Sequence, residues 1–245
     1  MMKTALSIVQ DFCYRANLPA PAALYGSTDT GVLQLKHCLY AACQRLRAAR
    51  CFPQQKRVHT FATVASTAQY SLPDDYYSPL LETEWNESED EPLIGPVSDD
   101  EFTGLLHSGA PSTVNYTYRI FGPEIDTLVP GQIWLSPTPS SIQTLSFEYI
   151  TRNLFLPPAF TLADTTPHET VDADTWLCLF DYDLASLGLE AEYLKQKGGD
   201  TNPAEDAFVE RIEAATNRVL GARKGSFVRK WAGPRYRVAS GSWSF

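Results

Sequence analysis

Apolar residues recur at helical spacing near both ends of the chain and at strand spacing through its middle. From Thr4 to Ala16, the residues Ile8, Val9, Phe12, Cys13 and Ala16 form a 3.6-residue stripe that Pro19 ends. A second helix is predicted from the cap candidates Thr28 and Asp29, with Leu35, Leu39, Ala42, Cys43 and Leu46 as its stripe and Pro53 as its stop. Arg45, Arg47 and Arg50 fall in its last turns, where they complement the negative end of the helix dipole. Further on, Trp176, Phe180, Leu184, Leu187, Ala191 and Leu194 share one face, with Asp172 or Asp174 as the predicted cap and Gly198-Gly199 as the stop. A last helix is predicted from Asn202-Pro203, with Glu205 and Asp206 in its first turn. Its stripe is Phe208, Ile212, Ala215 and Val219, and it runs out at Gly221.

Between about Lys56 and Arg152 the period changes to two. Arg57 to Val64, Gln69 to Leu72, Leu80 to Trp85, Pro92 to Val97, Tyr116 to Phe121, Gln132 to Ser136 and Thr144 to Thr151 read as strands. Asp74-Asp75, Gly109-Ala110-Pro111, Gly122-Pro123, Pro130-Gly131 and Pro137-Thr138-Pro139 separate them as turn or breaker clusters. One short helix interrupts, because Ser98-Asp99-Asp100-Glu101 is a capping box ahead of Phe102, Leu105 and Leu106. Strands this short and this closely spaced point to a small antiparallel sandwich or barrel.

The pattern predicts an α+β chain. Residues 1–55 and 170–224 form a helical bundle, 56–169 are an inserted antiparallel β domain, and 225–245 extend as a C-terminal arm. The outer helices are expected to bury their stripes against one another, with Leu39, Leu46, Phe180, Leu184, Phe208 and Ile212 as core. A length of 245 residues allows one large domain or two small ones, and 44% apolar with 20% charged residues excludes a disordered or collagen-like chain. No apolar run reaches the ~20 residues of a membrane span, and charge comes too early at the start for a secretory signal. Five cysteines (13, 38, 43, 51 and 178), odd in number and without a C-x-x-C pair, favour a reducing compartment over a disulfide framework.

Catalytic signatures are missing from the sequence. His37, His59, His107 and His168 are scattered, with no cysteine or carboxylate at metal-ligand spacing, and no phosphate loop, G-x-S-x-G or H-E-x-x-H motif occurs. No cofactor is expected. Asp74-Asp75 and Asp99-Asp100-Glu101 offer paired carboxylates, as a glycosidase would need, but a turn and a helix start account for them.

Charge is instead segregated. Glu82 to Glu101 holds nine acids and no base, among them Glu87, Glu89, Asp90 and Glu91. Such a run reads either as a solvated hairpin tip or, if several copies surround DNA, as a channel wall that does not hold phosphate. Residues 221–245 carry six bases and no acid, a local +6 that leaves −15 for the other 220 residues of a chain whose net charge is −9. Phe227, Trp231, Tyr236, Trp243 and Phe245 interleave with Arg229, Lys230, Arg235 and Arg237 at no regular period. Aromatics and arginine anchor interfaces, and this much exposed aromatic surface is a liability unless it binds something. Docking to a partner, folding back on the acidic body, and nucleic-acid binding all remain open from composition alone.

The order of several motifs resembles that of tailed-phage head-to-tail adaptors, the head-completion and tail-tubular proteins. These motifs are Tyr70-Ser71-Leu72-Pro73-Asp74-Asp75-Tyr76, Tyr118-Arg119-Ile120-Phe121-Gly122, Ile133-Trp134-Leu135-Ser136-Pro137, Phe147-Glu148-Tyr149-Ile150 and Tyr193 to Asp200. The resemblance implies a structural virion protein of the neck, assembled in the host cytoplasm, with no enzymatic activity and no catalytic residues to carry over. It implies a ring, usually of twelve copies, under the portal protein, joined to a tail or nozzle protein, with DNA passing through without specific binding and no membrane involved. It also implies that the C-terminal arm docks on the portal, which would make Phe227, Arg229, Lys230, Trp231, Arg235, Tyr236, Arg237, Trp243 and Phe245 the docking residues. Glu87, Glu89, Asp90 and Glu91 would then be candidate channel-facing acids. The competing expectation is a nucleic-acid-binding or tail-associated hydrolytic phage protein.

Overall fold

A computed structural model describes residues 2–49, 52–108, 115–122, 131–199 and 203–216. The protein is α+β, and the chain divides into two compact units, Met1–Pro53 with Phe180–Phe245, and Gln54–Leu179.

In the first unit, helix α1 (Ala5–Arg15) starts where the Thr4 hydroxyl accepts the Ser7 amide at 3.2 Å. Helix α2 (Thr30–Ala48) starts at Asp29, whose carboxylate accepts the Gly31 amide at 2.7 Å. Their apolar stripes are buried as the period requires at Ile8, Val9, Phe12 and Cys13 on α1 and at Leu35, Leu39, Ala42, Cys43 and Leu46 on α2, whereas Ala16, the expected end of the first stripe, is the exposed C-cap of α1. Helix α4 (Tyr182–Lys197) packs against both and ends at Gly198, whose left-handed φ of 67° suits a residue without a Cβ. Residues 203–216 form a further helix, α5. Phe180, Leu184 and Phe208 are buried, whereas Ile212 is only half-buried and contributes less core than its place in the stripe predicts.

The helix predicted around Trp176 begins later than expected. Asp181, not Asp172 or Asp174, is the cap of α4. The residues before it are held extended, because Leu177–Cys178 pairs with Phe155–Leu156 and the Leu179 amide donates to the Leu154 carbonyl at 3.0 Å. Tertiary pairing overrides the helical period there.

The second unit is built from short strands: β1 (Lys56–Ala62), β2 (Gln69–Ser71), β3 (Tyr76–Pro79), β4 (Trp85–Asn86), β5 (Glu91–Pro92), β6 (Thr117–Phe121), β7 (Gln132–Ser136), β8 (Thr144–Thr151), β9 (Phe155–Leu156) and β10 (Leu177–Cys178). A five-stranded sheet runs β1-β8-β4-β5 with β3 also on β8, and a three-stranded sheet runs β2-β7-β6, every ladder being antiparallel. Both sheets contribute to one core: Leu72, Tyr118, Ile133 and Leu135 from one, Leu145, Phe147 and Tyr149 from the other. Burial of side chains this large stabilises by roughly 1.5–3 kcal/mol each. Helix α3 (Asp99–Ser108) packs Phe102 on this unit, its ring 6.5 Å from that of Trp134.

The predicted strands over Leu80 to Trp85 and Pro92 to Val97 shrink to two-residue pairings. Glu82, Asp90 and Gly95 have φ of 66°, 55° and 153°, which no strand accommodates, and Pro92 and Pro96 lack the amide a ladder needs.

Candidate interaction surface

The residues that composition offered for catalysis are kept apart by the fold. His37 lies on α2 against Tyr40, His107 on α3 near the Thr103 carbonyl, and His168 beside Asp164 and Trp176. His59 stacks on Phe61 in the β unit, where burial pushes its imidazole below the usual value. Among the described residues, no group of three or more His, Cys, Asp or Glu could hold a metal ion.

Asp74 and Asp75 are not an acid–base pair. Asp74 is exposed, while Asp75 is fully buried and accepts the hydroxyls of Tyr149 and Thr151, each at 2.6 Å. The Arg57 guanidinium lies 3.4 Å from the same carboxylate and 4.4 Å from the centre of the Phe160 ring. Burial first, and then the Asp75 hydrogen bond, raise the Tyr149 phenol well above its usual range. This is a buried structural hub: both carboxylate oxygens of Asp75 accept hydroxyls, while the Arg57 Nε faces the carboxylate at 3.4 Å without a hydrogen bond. Turn duty, the sequence-based account of Asp75, misses it. One clue was available: the two-residue period of Arg57-Val58-His59-Thr60-Phe61 puts Arg57 on the face of Phe61, turned into the core. Asp99-Asp100-Glu101 does start a helix as expected, with the Glu101 amide donating to the Ser98 hydroxyl at 3.3 Å and Asp99 pairing with Arg119 at 2.8 Å.

The acidic run folds as the β4–β5 hairpin and its approaches. Glu87, Glu89 and Asp90 are exposed at the tip and Glu91 is half-buried. Their carboxylates are drawn onto neighbouring donors: Ser146 donates to Glu87 at 2.6 Å, Gln143 to Glu89 at 3.1 Å, and the Trp85 indole to Asp90 at 3.2 Å. Glu84 is buried, its carboxylate accepting the Thr83 amide at 3.0 Å, and its charge adds to burial in raising the Tyr118 phenol. Of the nine acids, only Asp99 pairs with a cation among the described residues. The tip is therefore a fixed negative surface, ordered by neutral donors that leave its charge in place.

The nine residues expected to dock a partner (Phe227, Arg229, Lys230, Trp231, Arg235, Tyr236, Arg237, Trp243 and Phe245) lie outside the described residues. The hairpin acids are thus the only expected site residues that the structure describes.

Comparison with known families gives a match to the SU10 adaptor protein over residues 4–234. The chain belongs to the SU10 adaptor protein family. This is a family of phage head-to-tail adaptors, so the protein is a structural virion component that connects head and tail. Comparison with curated proteins gives no match. The motifs that carried the resemblance now have positions in this adaptor. Tyr70 to Tyr76 is the β2–β3 turn that buries Asp75, the two runs from Tyr118 and Ile133 are β6 and β7, Phe147 to Ile150 is the centre of β8, and the Tyr193 motif is the glycine stop of α4. These motifs thus occupy strand, turn and helix-end positions of the fold.

Proposed function

We propose that this adaptor forms a ring of identical copies, twelve in the arrangement its family resemblance implies, beneath the portal protein. The ring continues the DNA channel toward a tail or nozzle protein in the neck of the virion. Assembly takes place in the host cytoplasm. Residues 225–245 act as the arm that docks on the portal, with Trp231, Tyr236, Trp243 and Phe245 supplying apolar contact and Arg229, Lys230, Arg235 and Arg237 supplying charge. The family match across residues 4–234 carries the reading.

Deleting residues 225–245 is expected to abolish co-sedimentation with isolated portal rings while the chain stays folded and soluble. Full-strength binding by the truncated chain overturns the docking arm. Replacing Trp231 and Trp243 by Ala is expected to weaken attachment more than neutralising any one arginine, because buried aromatics dominate interface energetics.

For the acids we propose a place on the channel wall, where Glu87, Glu89, Asp90 and Glu91 repeat around the duplex and keep it from adhering. The exposure of Glu87, Glu89 and Asp90, and the neutral donors that fix those three, support this. Changing Glu87, Glu89 and Glu91 to Lys should slow or stall genome release with assembly intact, since lysines bind phosphate. Normal ejection kinetics in such particles leave the hairpin a plain solvated tip.

A further inference from the structure

Helix α5 is anchored to the helical unit at a single deep point. Among its described residues only Phe208 is buried, at 0% exposure, whereas α2 and α4 each bury seven. The Phe208 ring occupies a notch in α4 that exists because residue 188 is glycine. A Cβ on Gly188 would stand 2.8 Å from the Ala42 Cβ and 2.9 and 3.0 Å from atoms of the Phe208 ring. Arg45 closes the site from α2. Its guanidinium sits 4.9 Å from the ring centre, forks onto the Glu205 carboxylate of α5, and donates to Glu192 of α4 at 2.8 Å. A further contact of α5 with α4, Arg211 to Asp183 at 3.5 Å, is exposed.

Elements held by few apolar contacts open locally before the rest of a fold does. We propose that α5 is a latch, which undocks as a unit when Phe208 leaves the Gly188 notch and the Arg45–Glu205 fork opens, while α1, α2 and α4 stay packed. The latch stands on these contacts alone; its use rests on the docking-arm reading above. In sequence α5 leads into residues 221–245, so undocking adds its own length, about 20 Å at 1.5 Å per residue, to the reach of the arm.

Hydrogen exchange on the full chain tests this. Amides within 205–216 should exchange about tenfold to a hundredfold faster than the slowest amides of α2 and α4. Phe208→Ala withdraws the ring from the notch and leaves the close approach of α4 to α2 at Gly188 and Ala42 untouched, so it should speed α5 exchange by about tenfold and leave α2 and α4 unchanged. Glu205→Gln opens the fork with the ring in place and should act in the same direction, by a few-fold. The latch is overturned if α5 exchanges in step with α4 in the unaltered chain, or if either variant speeds α2 and α4 as much as α5. Portal co-sedimentation of the chain lacking 225–245 reports separately on the arm, so failure of one does not mimic failure of the other.

Discussion

The helical and β units solve the burial of polar groups in opposite ways. In the helical unit the ion pairs of Arg45 with Glu192 and Glu205, Arg15 with Glu190, and Lys3 with Asp11 each keep at least one partner partly exposed, although Arg47 and Glu192 are themselves buried. The β unit puts a charged pair inside its core, with Arg57 and Asp75 both buried and two hydroxyls spent on the carboxylate. A short strand explains the difference. The Asp75 hub ties the β3 turn, which pairs with β8 at only three positions and with a register shift, to the long β1–β8 ladder. A rim ion pair can be lost at modest cost. A buried one cannot lose a single partner cheaply.

The sharpest way to break this contrast is Asp75→Ala, which strands the buried Arg57 charge and leaves the Tyr149 and Thr151 hydroxyls without their acceptor. A loss of about 3–5 kcal/mol is expected, read from the urea midpoint. A loss near that of an ordinary surface change would show that the hub is relaxed and wet. In the helical unit the comparable injury is a cavity. Leu184→Ala, at a side chain only 5% exposed, should cost about 2–5 kcal/mol by the same measurement. An unchanged midpoint would remove Leu184 from the core.

Acid sharpens the comparison with the smallest effects. Burial holds the folded His59 imidazole below its usual 6.5, so the unfolded chain takes up this proton first and β-unit stability declines as pH falls below about 6.5. Glu205 behaves the other way round. The Arg45 hydrogen bond holds its carboxyl below the usual 4.5, so its contribution is complete above about 4.5 and is lost as pH falls through the depressed value. Urea midpoints from about pH 7 to about pH 3 check both signs. His59→Phe should flatten the upper part of the decline and Glu205→Gln the lower part, and a variant profile parallel to that of the unaltered chain removes the corresponding assignment.

What could be read from the sequence follows from how local each feature is. The cap at Asp29, the stripes of α1 and α2 and the glycine stop after Lys197 depend on residues a few positions apart, and all were legible. The strands β6, β7 and β8 were equally so, because alternation is a two-residue signal. The start of α4 was not, since Leu177 and Cys178 are held by residues more than twenty positions away. The hub was hidden for the same reason: Asp75 meets Arg57 across 18 positions and Tyr149 across 74. At the candidate surface the acidic run was plain as composition. That neutral donors from β8 and its approach fix two of its carboxylates emerged only once Ser146 and Gln143 were brought beside the tip.

Burial of the cysteines has a consequence for the particle after it leaves its host. Cys13, Cys38, Cys43 and Cys178 are all inside the protein, and burial raises the thiols of Cys13 and Cys38, the latter to about 11. At neutral pH a thiol of that acidity is ionised only about once in ten thousand, and the thiolate is the species that oxidants and alkylating agents attack. A virion waits in air and water for unpredictable times before it meets a cell. Buried and held protonated, the Cys13 and Cys38 thiols resist oxidation through that interval for as long as α1 and α2 stay packed.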